Sequence, residues 1–208
     1  MEGDYGTMKV MLINGSAKEK GCTYTALSEV ERGLKESGIE TEMIFLGVKP
    51  LPDCMGCGKC RETGECVFQD IVNEIVEKAK TCDGFVFGSP VYYAHPSGRL
   101  LSALDRIFYS GSKEFAFKPG AAVVSARRGG TTAALEAIQK HFSINQMPIV
   151  TSNYWSMVHG NTPEEVRQDR EGMRTMYNLG RNMAWMLSCM QAGPEHPQNE
   201  KESTNFIR

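Results

Sequence analysis

Short apolar runs alternate with amphipathic stretches from near the start of the chain to about residue 190. Residues 9–14 form a β-rich run, and residues 23–37 carry a helical pattern that stops at Gly38. A second strand is predicted over 41–46, followed by an irregular Pro-, Gly- and Cys-rich stretch over 50–66. Ile71, Val72, Ile75, Val76 and Ala79 then recur at helical spacing within 70–80. Residues 84–88 are wholly apolar and end at Ser89-Pro90, and 96–109 present Leu100, Leu101, Leu104 and Ile107 on one helical face. A fourth strand is predicted over 121–125, a helix from Gly129-Gly130 to about Phe142, and a fifth strand over 148–151. From Pro163 a long helical region carries Val166, Met173, Met176, Leu179, Met183, Met186 and Leu187, which read as core or oligomer interface. Glu164, Glu165, Asp169 and Glu171 read as its solvated face.

Five strands, each followed by a helix, predict one α/β domain with a parallel sheet covered on both faces. The domain should span 8–192, with an extension over 1–7 and a polar tail over 193–208. In such a sheet ligands bind beyond the carboxyl ends of the strands, near the point where strand order reverses. The loops after strands one, three and four therefore matter most.

The first loop runs Asn14-Gly-Ser16-Ala-Lys18-Glu-Lys-Gly21-Cys22-Thr23-Tyr24-Thr25. Its small residues admit close backbone approach, its hydroxyls offer hydrogen bonds, and the following helix presents free amides. Together with Lys18 these suit a phosphate; an N-capped tight turn without ligand is the plainer reading. Neither Gly-Lys-Ser/Thr nor Gly-x-Gly-x-x-Gly is present, so a nucleoside triphosphate or a Rossmann-type dinucleotide is not indicated. The loop after strand three, Ser89-Pro90-Val91-Tyr92-Tyr93-Ala-His95-Pro96, places two aromatic rings and stiff backbone at the sheet edge, where a planar heterocycle can bind or the rings can pack on the sheet end. After strand four, Ser125-Ala-Arg127-Arg128-Gly129-Gly130 combines glycine backbone with positive charge, either for an anionic ring or as a surface turn.

Composition narrows the partners. Apolar residues make up 41% and charged residues 23%, ordinary for a globular domain, and the net charge of -2 disfavours nucleic acid and anionic membranes. No run is apolar enough to span a bilayer and the start is no secretory signal, which points to the cytoplasm. Thiols stay reduced there, so Cys54, Cys57, Cys60 and Cys66, gathered within thirteen residues, read as ligands or redox groups. Their x2-x2-x5 spacing, with Gly56, Gly58 and Gly64 between them, suits a cluster better than zinc, whose ligands usually come in two separated pairs; unligated thiols are the third possibility. Cys82 and Cys189 read as buried apolar residues. Asp105-Arg106 reads as a structural ion pair, and Trp155 and His159, placed after strand five, either roof a ligand or pack.

Gly15-Ser16-Ala17-Lys18 with Gly21-Cys22-Thr23, and Ser89-Pro90-Val91-Tyr92, resemble the phosphate and isoalloxazine loops of the NADPH-dependent FMN reductase family over roughly 8–190. The cysteine quartet is similar to that of the family's iron–sulfur flavoproteins. The resemblance implies a flavodoxin-like doubly wound five-stranded parallel sheet of order 2-1-3-4-5. It also implies FMN bound by Ser16, Lys18, Cys22, Thr23, Tyr24, Thr25, Pro90, Val91, Tyr92, Tyr93, Ser125, Arg127, Arg128, Gly129 and Gly130. A [4Fe–4S] cluster would sit on Cys54, Cys57, Cys60 and Cys66, and the chain would form a homodimer or homotetramer in which the cluster approaches a neighbour's flavin. Cys22 stands where many members carry Asn, which implies a weaker side-chain contact to the phosphate at that position. The implied activity passes electrons from NAD(P)H or a reduced carrier to a small-molecule or protein acceptor, with no side chain serving as acid or base. The rival is an electron carrier that exchanges with ferredoxin and has no small substrate of its own. Charges around the cysteines are mixed and do not choose between them.

Overall fold

A computed structural model describes residues 7–197 together with 200, 202, 204 and 206. The expected extension over 1–7 thus lies outside the described residues apart from Thr7, as does part of the tail.

In chain order the elements are β1 (Lys9–Asn14), α1 (Cys22–Glu36), β2 (Glu40–Phe45), α2 (Cys60–Thr63), α3 (Ile71–Ala79), β3 (Gly84–Tyr92), β4 (His95–Pro96), α4 (Gly98–Phe115), β5 (Gly120–Ala126), α5 (Thr131–Ile144), β6 (Met157–His159), α6 (Pro163–Gln168) and α7 (Arg170–Ala192). Five strands pair in parallel in the order β2-β1-β3-β5-β6, with β4 folded back antiparallel on the end of β3. Counting the parallel strands alone, this is the flavodoxin-like order 2-1-3-4-5. The order reverses between β1 and β3, so their carboxyl ends border the crevice where ligands bind in such sheets.

The middles of the central strands are continuously apolar, Val10–Ile13, Phe85–Phe87 and Ala121–Val124, because both faces are covered. Phe85 and Phe87 point to one side, into a core with α3, α4 and α5; Val86 points to the other, against α1 and α7. Helices α1 and α7 approach to backbone contact: a Cβ on Gly33 would lie 2.4 Å from the Tyr177 carbonyl oxygen, and one on Gly180 2.2 Å from that of Val30. Met176, Leu179, Met183 and Leu187 of α7 are buried, as core. Among the described residues no helix is long and apolar enough to cross a membrane.

Several expectations need correction. The fifth strand is Met157–His159, whereas at 148–151 only Ile149 bridges to Gly120. Val150 is buried, and Gly120 donates to the Pro148 carbonyl and accepts from the Val150 amide at 2.9 Å each; a buried segment with a single bridge looks the same in sequence as a strand with a full ladder. Strand β3 continues through Ser89-Pro90, which pair with Val124 and Ser125, so the anticipated loop there is strand and hairpin. The long C-terminal helix breaks at Asp169, which is no solvated charge: its Oδ1 accepts from the Gly172 amide at 2.9 Å, capping α7, while Oδ2 accepts from the His159 amide at 2.7 Å. Cys82 is buried as expected, but Cys189 is exposed.

Candidate functional site

Asn14 shapes the loop after β1. Its buried amide accepts from the Ser16 amide at 3.0 Å through Oδ1 and donates to the Glu19 carbonyl at 2.9 Å through Nδ2. The Gly15 amide donates to the Gly88 carbonyl at 2.8 Å, and a Cβ there would sit 2.8 Å from that of Leu100, so only glycine allows the loop to lie this close to β3 and α4. Ser97, the N-cap of α4, donates to the Gly15 carbonyl at 2.7 Å. Asn14 and Ser97 were not among the expected site residues; the Asn-Gly pair was the one available signal for the first.

Helix α1 starts at Gly21 without a side-chain cap among the described residues. The amides of Cys22, Thr23 and Tyr24 precede its first intrahelical bond, which gives a 15-residue helix an N-terminus with free donors and a partial positive charge. Buried Ser16 accepts from the Lys18 amide at 3.0 Å, and Lys18 is exposed at the rim. Half-buried Tyr24 lies in the first turn. The threonine hydroxyls are committed elsewhere. Thr25 donates to the Gly21 carbonyl at 3.1 Å, and Thr23 shares a 2.8 Å hydrogen bond with Ser125, tying the first loop to the end of β5. Cys22 turns its thiol to the Gly160 carbonyl at 3.8 Å, and burial pushes that thiol's pKa up, so it stays protonated.

The β3–β4 hairpin closes on Tyr93 and Ala94, both with positive φ (49° and 63°). A two-residue turn of this kind favours Asn-Gly, and a side chain in the left-handed region costs about 1–2 kcal/mol. The turn aims outward: Tyr93 is fully exposed and Tyr92 half exposed, so neither ring packs over the sheet end. Pro90 and Val91 lie in β3, Val91 packed on the α4 side of the core. Gly130, at φ 88°, touches the turn, since a Cβ there would meet the Ala94 Cα at 2.6 Å. Arg127, Arg128 and Gly129 are exposed beside it, and neither arginine pairs with a carboxylate among the described residues. The three loops thus lock into one open rim at the carboxyl ends of β1, β3 and β5, with free amides at one end and exposed rings and cations at the other.

The four cysteines also come together. Cys54, Cys57, Cys60 and Cys66 line one cavity of about 420 Å³ between the 54–68 segment and α4. Among the described residues no three Cys, His, Asp or Glu groups are close enough to share a single metal ion. Gly56, Gly58 and Gly64 all have positive φ, which lets the loop curl around this volume. Asn73 clamps Cys66 by its backbone, accepting from its amide at 3.0 Å and donating to its carbonyl at 2.9 Å.

Asp105 and Arg106 do not pair with each other. They sit midway along α4 and diverge, Asp105 to His141 at 3.1 Å and Arg106 to Asp70 at 2.8 Å. Burial works against the Arg106 charge, but the Asp70 carboxylate and the Cys66 sulfur outweigh it and hold the group charged. Trp155 precedes β6 and is exposed against Tyr154, with ring centroids 5.1 Å apart; His159 ends β6 and does not follow it.

Residues 8–162 match the family described as NADPH-dependent FMN reductase. An iron-sulfur flavoprotein of Methanocaldococcus jannaschii is 36% identical over 195 residues, which covers 88% of this chain and 100% of that protein. An iron-sulfur flavoprotein of Methanosarcina thermophila is 30% identical, covering 88% of this chain and 97% of that protein. Among solved structures, RosB with a bound riboflavin-phosphate intermediate superposes with a TM-score of 0.70 at 12% identity, covering 96% of this chain and 92% of that one, a likeness of fold alone. With a matched flavodoxin-like sheet beneath these loops, the chain belongs to the NADPH-dependent FMN reductase family of FMN-dependent oxidoreductases, in its iron–sulfur flavoprotein-like subgroup.

Proposed function

We propose that this chain takes electrons from NAD(P)H or a reduced carrier into FMN and passes them to a small-molecule or protein acceptor by way of a [4Fe–4S] cluster. FMN supplies exchange between two-electron and one-electron transfer when bound. The observation that carries the reading is the locked rim, where the Thr23–Ser125 bond and the Gly130–Ala94 contact hold loops from three strands in one place.

The residues present fit both groups. A phosphate suits the uncapped start of α1, where the Cys22, Thr23 and Tyr24 amides donate, the Ser16 hydroxyl adds a donor and Lys18 neutralises charge. Tyr92 and Tyr93 offer exposed faces for a flat ring, and Arg127, Arg128 and the Gly129-Gly130 backbone favour negative charge beside it. Thr23, Thr25 and Ser125 shape this site through hydroxyls bonded to protein, and Cys22 contributes its amide only. The shared cavity accepts a body larger than one ion, and sulfur-only donors suit iron–sulfur chemistry.

Helix α4 connects the two sites. Its N-cap Ser97 holds the phosphate loop and Arg106 borders the cysteine cavity, so Gly98 and Arg106 are about 12 Å apart along the axis. Arg99 donates to the Val48 carbonyl at 2.9 Å, fixing the segment that leads into the cysteine loop to the same helix.

The test is a visible spectrum of anaerobically purified protein. Flavin bands with broad longer-wavelength absorption bleached by dithionite are expected. Flavin bands alone, persisting after reconstitution with iron and sulfide, would remove the cluster, and a colourless protein that takes up no FMN would remove both groups.

A further inference from the structure

Arg106 has no exposed side-chain surface, yet it lines the cysteine cavity and each of its donors has a target. Nη1 and Nη2 grip the two Asp70 oxygens at 2.8 Å each and reach the Pro52 and Phe68 carbonyls at 3.3 Å. The Phe68 ring lies against the guanidinium, 4.9 Å from its central carbon. The remaining donor, Nε, points at Cys66 Sγ at 3.2 Å. The carboxylate and carbonyls take four of the five guanidinium donors, and the fifth is turned to the sulfur rather than to another oxygen. A neutral thiol gains little from such a donor, whereas a thiolate bound to a redox centre gains a charge-assisted hydrogen bond.

Resting on the reading that the quartet holds a cluster, we infer that Arg106 is a positioning residue that donates from Nε to the Cys66 ligand sulfur and sets the cluster's reduction potential. The sign follows from charge. One-electron reduction adds a negative charge, and a cation donating to a ligand sulfur stabilises the reduced form, one of the recognised controls on such potentials. Asp70, bonded to the far side of the same guanidinium, offsets part of that field. It is also fixed in place, since Oδ1 accepts from the Val72 amide at 3.1 Å as the N-cap of α3. The clamp of Asn73 on the Cys66 backbone leaves the sulfur to Arg106 alone among these polar partners.

The experiment uses the anaerobic, FMN-loaded holoprotein reconstituted with iron and sulfide, with iron and acid-labile sulfide counted and the cluster potential read by mediated dithionite titration. Arg106→Gln should lower the reduction equilibrium constant at least tenfold, 59 mV for one electron, with cluster still bound. Arg106→Lys, which keeps the charge and loses Nε, should fall between it and the unsubstituted protein. Asp70→Asn keeps the cap, since Asn and Asp serve equally there, and should shift the potential the opposite way by unmasking Arg106. Cluster content that falls while the potential of what remains is unchanged would make Arg106 merely structural and overturn the inference. If the Arg106 variants do not fold, Asp70→Asn decides, and a change in equilibrium constant below twofold overturns it. An unsubstituted protein that binds no iron would overturn the cluster reading itself, and that result appears before any variant is made.

Discussion

Thr23 Oγ1 and Ser125 Oγ, 102 residues apart in sequence, share a buried 2.8 Å hydrogen bond that joins the start of α1 to the end of β5. Removing one partner leaves the other hydroxyl buried and unpaired, a cost of about 1–3 kcal/mol. Thr23→Val should therefore lower stability in denaturant titration by that order and weaken FMN binding by loosening the rim. Thr23→Val with Ser125→Ala should cost less than the sum of the singles, because the orphaned hydroxyl is gone. Strict additivity would show that the bond does not couple the loops.

The turn at Tyr93 separates stability from binding. Tyr93→Gly relieves a left-handed side chain, about 1 kcal/mol against glycine's own entropy cost, while removing a fully exposed ring that supports nothing in the fold. The apoprotein should melt no lower than the parent, and FMN should dissociate more readily. An apoprotein that melts clearly lower would show that Tyr93 has a packing role.

Helix propensity and packing oppose each other at Gly180. Alanine improves helix propensity by about 1 kcal/mol, but its Cβ would stand 2.2 Å from the Val30 carbonyl oxygen, a backbone atom that cannot swing aside. Overpacking of this kind costs about 1–3 kcal/mol or more. Gly180→Ala should lower the melting temperature, and a stabilised variant would contradict the close α1–α7 approach.

Acid should act through Glu42. Hydrogen bonds from Lys78 and then Lys9 hold its pKa below the ordinary 4.5. A lowered carboxylate stabilises the fold above its unfolded pKa, and the gain disappears as pH falls through the lower folded value. With the pair partly exposed, the effect is of order 0.5–1 kcal/mol. Glu42→Gln should lose that much at pH 7 and approach the parent's stability near pH 3. A difference that stays constant over this range would assign the effect to something other than charge.

The fold was legible where burial and ladder coincide. The apolar strands β1 and β3 carry their signal because helices cover both faces, and the cysteine spacing is visible because it is local. Strand β6 spans three residues, too short for any periodicity, so the apolar stretch before it was read in its place. The hairpin at Tyr93-Ala94 has none of the glycine or asparagine that usually marks such turns. Arg106 looked like half of a pair with its neighbour because its partners, Cys66 and Asp70, lie 40 and 36 positions away. The Thr23 hydroxyl looked free for a ligand for the same reason, its partner Ser125 lying 102 positions away, whereas Thr25 bonds back to a carbonyl only four positions earlier within its own helix start.

Anaerobic titration of the FMN-loaded protein with NADPH, followed at the flavin absorption band, tests the central claim most directly. Progressive bleaching that reverses when an electron acceptor is added is the predicted result. A band that NADPH, NADH and reduced ferredoxin all leave intact would contradict the account, and bleaching by reduced ferredoxin alone would make the protein an electron carrier with no direct reduction by a pyridine nucleotide.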